Sequence, residues 1–113
     1  MRPKTRLRKL PAGSAPLFAA LGDEGRLRIV ARLRDGGPLS ITKLTTGSNI
    51  SRQAVTKHLR VMGDVGLVRS TRQGRETVWE LNQRRLDEAR RYLDTISRQW
   101  DEKLDRLKSF VER

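Results

Sequence analysis

The last 32 residues, 82–113, contain neither glycine nor proline, and their apolar residues recur at steps of three and four. This spacing predicts one helix with a heptad seam. At about 1.5 Å per residue the helix is roughly 45 Å long, more than a small domain can bury. The apolar seam can pack either against its own chain or against a second copy. The length of the helix favours the second alternative, a dimer interface. We assign that interface to Leu86, Leu93, Ile96, Trp100, Leu104 and Leu107, with Trp100 as its anchor.

The charge distribution separates this segment from the rest of the chain. The 113 residues carry a net charge of +12. Residues 1–81 hold 16 Lys or Arg against 6 Asp or Glu, a net of +10, whereas residues 82–113 hold 9 against 7, a net of +2. An excess of this size favours a nucleic acid, an anionic membrane or an acidic protein as partner. The surface for that partner therefore belongs to the first two-thirds of the chain.

Composition argues against several classes of protein. The absence of cysteine excludes disulfides and thiolate chemistry and fits a reducing cytoplasm. No apolar run is long enough to span a membrane, and the basic N-terminus lacks the apolar stretch of a signal peptide. The chain has a single histidine, His58, and the sequence shows no Gly-rich phosphate loop and no spaced carboxylate pair. We therefore expect that the protein is not an enzyme and binds no cofactor. Zinc needs three or four ligands, so we expect no metal site.

Turn and capping residues divide the first part of the chain into short helices. Pro16 suits the first turn of a helix over 16–21. Asp23 is placed to cap a longer helix, EGRLRIVARLRDGG, and Ser40 to cap a short one that ends before the turn TGSN. We assign the apolar face of the longer helix to Leu27, Val30, Ala31 and Leu33.

Residues 51–65 predict a helix with an apolar side and a cationic side, capped by Ser51. The apolar stripe consists of Val55, Leu59 and Met62. The opposite arc consists of Arg52, Gln53, Thr56, Lys57 and Arg60. An ordinary surface helix mixes both charge signs because i,i+4 pairs stabilise it, but here no acid precedes Asp64. Two short helices joined by a tight turn, the second with a face suited to a polyanion, predict a helix-turn-helix with 51–65 as the recognition helix.

Residues 67–81 predict a β-hairpin after that helix, which Gly66 is suited to end. Two β-rich runs flank Gln73 and Gly74, where glycine tolerates the positive φ of a tight turn. The arginines of this hairpin are Arg69, Arg72 and Arg75, of which the last two bracket the turn. We expect Trp79 to pack at its base. A hairpin with arginines at its tip, following a helix-turn-helix, is a wing.

These elements predict a mainly α fold with a small β-hairpin, a winged helix-turn-helix with a long C-terminal dimerisation helix. We divide the chain into a basic N-terminal arm (1–13), a DNA-binding core (14–81) and the dimerisation helix (82–113). The arm is expected to be a flexible, solubilising segment; the alternative is an arm that follows a DNA groove.

Three stretches, in order and at the family's spacing, resemble the ArsR-type bacterial winged-helix repressors. LFAALGDEGRLRIVARL is similar to the signature of the family's first two helices, and SRQAVTKHLRVMGDVGLV to that of its recognition helix. RQGRETVWEL stands where the family has a Gly-Arg wing that ends in an aromatic residue and a leucine. The resemblance runs from about Leu17 to the end. It implies a homodimer that places two recognition helices in successive major grooves of an inverted-repeat operator and represses transcription.

The resemblance does not extend to metal sensing. Metal-sensing members carry a Cys-x-Cys pair at the positions of Ser40 and Thr42. Other members bind zinc between terminal helices through Asp, His and Glu, and this terminal helix has no His. The sequence marks no pocket for a small-molecule or protein effector.

We expect double-stranded DNA to contact both the recognition helix and the wing. The predicted contacts are Ser51, Arg52, Gln53, Thr56, Lys57 and Arg60 from the helix, and Arg69, Arg72 and Arg75 from the wing. Gln53 and Thr56 lie in the first turns, where recognition helices reach base edges. Lys57 or Arg60 contacts guanine or phosphate, and the wing arginines contact phosphate or the adjacent minor groove. His58 lies toward the apolar side, where a helix–helix contact or a phosphate hydrogen bond is expected.

Two other functions fit part of the pattern. A net charge of +12 would suffice for an architectural protein that binds DNA of any sequence. A winged helix can also serve as a protein-interaction module that uses its long helix for docking. The patterned recognition helix and the wing favour a sequence-specific regulator over both.

Overall fold

The computed structural model describes residues 13–112, which form five helices and a small sheet. The elements are α1 Ser14–Leu21, α2 Glu24–Gly36, β1 Leu39–Ser40, α3 Ile41–Thr45, α4 Arg52–Asp64, β2 Val68–Gln73, β3 Glu76–Leu81 and α5 Gln83–Glu112. The predicted fold class, a winged helix-turn-helix with a long C-terminal helix, is confirmed. The predicted basic arm lies outside the described residues except for Gly13.

Polar side chains cap three of the helices at their N-termini, as predicted. Asp23, Ser40 and Ser51 each accept the backbone N–H of the residue three positions later, at 3.0, 3.2 and 3.1 Å. The first turn of a helix leaves such N–H groups without carbonyl partners, so each bond fixes where a helix begins. The bond from the Arg26 N–H also lowers the pKa of the Asp23 carboxyl.

The hydrophobic core lies where the first four helices meet the base of the wing and the start of α5. Its buried members are Leu17, Ala20, Ile29, Leu33, Leu44, Val55, Leu59, Met62, Leu67, Val68 and Ala89. The predicted stripe of α4 is at the centre, since Val55, Leu59 and Met62 are each 0% exposed. This burial fixes the rotation of α4 about its axis and leaves its polar arc on the surface.

The face predicted for α2 is wrong in part. Leu27 is 48% exposed, whereas Ile29, which we did not assign to that face, is buried together with Leu33. Apolar residues occupy more than half of the circumference of this helix, so spacing alone did not define one narrow face. Burial of Ile29 and Leu33 turns that side of α2 toward the core, and two arginines bond the helix to its neighbours: Arg26 Nε donates to the Ala20 carbonyl at 2.6 Å, and Arg32 Nη1 to the Leu44 carbonyl of α3.

The sheet contains one strand more than predicted. Its order is β1-β3-β2, all antiparallel, and the two residues of β1 pair with Trp79 and Val78 of β3. Two residues are too few to produce an alternating pattern in the sequence. The turn of the wing is also one residue later than predicted, because Gln73 pairs with Glu76. It consists of Gly74, with φ +66°, and Arg75, so this arginine lies in the turn itself.

The helix α5 is covered at its start and uncovered over most of its length. Ala89 is buried, Leu86 packs against the core of its own chain, and the Tyr92 ring lies 5.5 Å from that of Phe18 on α1. Leu86, assigned above to a dimer interface, therefore has a packing partner within its own domain. The large apolar residues that follow are exposed: Leu93, Ile96, Trp100, Leu104, Leu107, Phe110 and Val111.

Arg85 ties the start of α5 to two other helices. Its Nε donates to the Val65 carbonyl at the end of α4 (2.8 Å), and its Nη2 donates to the Gly13 carbonyl at the start of α1 (3.0 Å). Its Nη1 pairs with Glu88 at 2.7 Å. The orientation of the long helix is thus coupled directly to the end of the predicted recognition helix.

We expect Leu59→Ala to lower the free energy of unfolding by about 2–5 kcal/mol, because it leaves a cavity beneath α4. The matched control is Leu27→Ala, the same change at an exposed position, which should cost no more than about 0.5 kcal/mol. Urea unfolding followed by circular dichroism, at one protein concentration, measures both. Equal losses would contradict the burial of Leu59 beneath α4.

Candidate nucleic-acid interface

The polar arc predicted on α4 forms one continuous surface. Arg52, Gln53, Thr56, Lys57 and Arg60 together line a shallow depression of about 410 Å³. No Asp or Glu is among the residues that line it. The depression therefore offers hydrogen-bond donors and positive charge on a helix whose opposite side is locked into the core.

The side chains of this arc differ in how far they are already engaged. Arg52 Nη1 donates to the Thr42 hydroxyl on α3 at 3.0 Å, and the Thr56 hydroxyl donates to the Arg52 carbonyl at 2.9 Å. Gln53, Lys57 and Arg60 make no side-chain hydrogen bond or ion pair with any residue in 13–112. These three are available to an incoming ligand without breaking a contact.

The three wing arginines also differ from one another. Arg69 is paired with Glu80, its direct cross-strand neighbour, at 2.9 Å. Arg72 and Arg75 are exposed and form no ion pair within the described part of the chain. Positive charge is thus concentrated at the tip of the wing, while the charge at its base is offset.

Arg32 positions the helix-turn-helix, a role that sequence reasoning missed. From α2, its guanidinium donates to the carbonyls of Lys43 (2.9 Å), Leu44 (2.9 Å) and Thr46 (3.2 Å) at the end of α3. The last carbonyls of a helix have no partner within the helix, and a cation is favoured there. The sequence does not distinguish Arg32 for this role, since it is one of four arginines on α2.

His58 lies in the contact between α2 and α4. Its Nδ1 is 3.4 Å from Arg26 Nη1, and its Nε2 is 3.9 Å from the Asp23 carboxylate. A Cβ at Gly25 would lie 2.9 Å from His58 Nε2, so any larger residue there would displace the imidazole. The helix–helix contact expected for His58 is present.

The positions of the family's Cys-x-Cys pair have structural roles here. Ser40 caps α3, and Thr42 accepts the hydrogen bond from Arg52. Within residues 13–112 no group of three or more His, Cys, Asp or Glu side chains is placed to hold a metal ion. The described helices also include none long and apolar enough to cross a membrane.

Known proteins match both the sequence and the fold. A helix-turn-helix domain family matches residues 21–71. The uncharacterized HTH-type transcriptional regulator YuzN of Bacillus subtilis is 39% identical over 72 residues, which cover 58% of this chain and 78% of that protein. The structure of an ArsR-like transcriptional regulator from Rhodococcus sp. RHA1 superposes with a TM-score of 0.77 and 37% identity, covering 88% of this chain and 92% of that one. The chain belongs to the ArsR family.

A further relative belongs to the same functional class. The HTH-type transcriptional regulator NmtR of Mycobacterium tuberculosis is 39% identical over 67 residues, 59% of this chain and 55% of that protein. The aligned part thus spans little more than half the length of NmtR. Together the matches identify this ArsR-family protein as a DNA-binding transcriptional regulator. These relatives are regulators and not enzymes, in agreement with the prediction from sequence.

Proposed function

We propose that this regulator is a homodimeric repressor that binds an inverted-repeat operator on chromosomal DNA in the bacterial cytoplasm. One observation carries the proposal: the five polar-arc residues of α4 line a single acid-free depression on the side opposite the core. A helix held in this way by its apolar stripe presents a fixed set of donors, which is what direct readout in a major groove requires.

The engagement of each side chain supports a division of roles. Gln53, exposed in the first turn of α4, suits a base edge, and Thr56 retains the lone pairs of its hydroxyl oxygen as acceptors. Lys57 and Arg60 supply charge for phosphate or guanine. Arg52, held by Thr42, suits a phosphate at a defined position, as does Ser51 at the N-terminus of the helix.

The wing contributes through its tip. Arg72 and Arg75 contact phosphate or the adjacent minor groove, because their charges are exposed and unpaired within the described residues. Arg69, the third arginine predicted for this role, contributes less, since Glu80 offsets its charge.

A second copy of this chain covers the exposed stripe of α5. Trp100 is 61% exposed and Phe110 70%, and large contiguous apolar surfaces are rare on monomers. The same helix carries nearly balanced charge, which permits close pairing of two copies. Such a two-fold pair would carry one recognition helix for each half-site of an inverted repeat, and half-sites read in this way lie about 34 Å apart, one turn of DNA. The interface comprises Leu93, Ile96, Trp100, Leu104 and Leu107, with Leu86 at its edge.

We expect the protein to prefer DNA upstream of its own gene over a scrambled duplex of equal length and composition by about 10³-fold or more. Fluorescence anisotropy at about 0.15 M salt, near physiological screening, measures both affinities. Equal binding to both duplexes would be followed by selection from random DNA. If selection also enriches no sequence, the protein is architectural and the proposal fails.

We expect Gln53→Ala and Arg75→Ala to weaken DNA binding in different ways. The first removes a base contact and should relax preference at one position of each half-site by about 1–3 kcal/mol. The second removes a phosphate contact, so it should weaken binding to every sequence alike and reduce the salt slope by about one unit. Arg69→Ala is the matched control for the wing and should have the smaller effect. Identical effects of Gln53→Ala and Arg75→Ala on operator and random DNA would overturn this division of roles.

We expect Trp100→Ala to convert the dimer into monomers at low micromolar concentration, because it removes the largest apolar side chain from the middle of the stripe. Light scattering measures the mass, and circular dichroism checks that the helices remain. An exposed polar residue of the same helix provides the control, Gln99→Ala, which should leave the dimer intact. A Trp100→Ala dimer as stable as the unaltered one would locate the interface elsewhere.

A further inference from the structure

A cleft lies between α2 and the turn of the helix-turn-helix, and it shares no lining residue with the polar arc of α4. Its volume is about 390 Å³, within the range of sites that hold small organic molecules. One wall is formed by α2, and the other by the end of α3 and residues 47–50. No sequence pattern indicates this cleft, because its walls come together only when α2 packs beside the turn.

The lining has an apolar floor and a cationic rim. Ile29 and Leu44 are buried at its base, and Ile50 is partly buried beside them. Arg28 and Arg32 stand at the rim with Asn49, and no Asp or Glu is among the lining residues. This combination fits an organic anion, a carboxylate on an apolar body, better than a neutral or cationic compound.

Both rim arginines have capacity for such an anion. The described bonds of Arg32 use three of the five N–H groups of a guanidinium, so two remain. Arg28 pairs with Glu24 at 2.9 Å, but both side chains are largely exposed, at 69% and 80%. An exposed ion pair of this kind is weak and is readily exchanged for a ligand carboxylate.

The cleft is connected to the DNA-binding surface through Arg32. This residue holds the carbonyls of Lys43, Leu44 and Thr46, after which the turn leads to Ser51, the cap of α4. An anion bound by the two remaining N–H groups would draw the guanidinium toward the cleft and weaken its bonds to those carbonyls. Since DNA binding requires a fixed angle between α3 and α4, occupation of the cleft and binding of DNA are then coupled.

We propose that this cleft binds a small organic anion with an apolar body, and that its occupation lowers the affinity for DNA by loosening the Arg32 contacts. Binding of the anion is independent of the proposed repressor function, whereas its effect on DNA rests on that function. The test therefore has one arm without DNA and one arm with it.

The first arm uses 1-naphthoate as the anion and 1-naphthamide as its neutral counterpart. The four isoleucines of the chain serve as methyl-labelled NMR probes. Ile29 and Ile50 line the cleft, while Ile96 lies on the apolar stripe of α5. We expect naphthoate to shift the first two methyl signals and not the third, and naphthamide to bind at least tenfold more weakly. Shifts at Ile96 alone, or equal binding of the amide, would overturn the proposal.

Variants of α2 distinguish binding of naphthoate in the cleft from a general response to net charge. Ala31→Leu fills part of the cleft, and Arg28→Gln removes one rim charge; each should weaken naphthoate binding at least tenfold. Arg34→Gln, on the same helix but paired with Asp35 and outside the cleft, is the matched control and should not. Equal effects of Arg28→Gln and Arg34→Gln would show a response to net charge alone and overturn the proposal.

The second arm measures anisotropy of a duplex selected from random DNA. Saturating naphthoate should weaken binding of the unaltered protein at least tenfold and leave the Ala31→Leu variant unaffected. Anion binding without any change in DNA affinity would overturn the coupling. If Arg28→Gln weakens DNA binding in the absence of naphthoate, the rim is a phosphate contact of the DNA interface, and the proposal is wrong.

Discussion

Burial of the apolar stripe of α4 is the constraint on which the rest of the structure depends. Val55, Leu59 and Met62 are each 0% exposed, so the helix has one permitted rotation about its axis. The polar arc is the remainder of that circumference, and its position follows from the packing. A substitution in the core that shifts α4 is therefore expected to disturb DNA recognition even when every surface residue is unchanged.

Arginines that donate to backbone carbonyls hold the helices in place around that core. Arg26 bonds to the end of α1, Arg32 to the end of α3, and Arg85 to the end of α4 and the start of α1. A guanidinium has five donors and is always charged, so it can donate to several backbone carbonyls at once, including those left unpaired at the end of a helix. Part of the large positive charge of this chain is thus structural and does not face a polyanion. The net charge of +12 alone overstates the surface available to DNA.

The elements with a strong periodic or capping signal were predictable. Ser51, the apolar stripe and the single-sign arc define α4 within a few residues, and Gly74 defines a hairpin with a positive φ at its turn. Three features were not predictable. The strand β1 is only two residues long, and the apolar residues of α2 occupy more than half of its circumference. The turn of the wing lies one residue later than predicted, because the strand register decides which two residues form it.

The sequence by itself determined the order of the helices and the wing, three helix caps, the cationic arc and the family, because these depend on residues close together in the chain. Tertiary structure decided which of the predicted cations are free. Glu80 engages Arg69 across two strands, and Thr42 engages Arg52 across the helix-turn-helix. Tertiary packing also places Leu86 against the core of its own chain, and it brings α2 beside residues 47–50 to form the cleft. Contacts of this kind join residues of different elements, and their geometry is set only when the core packs.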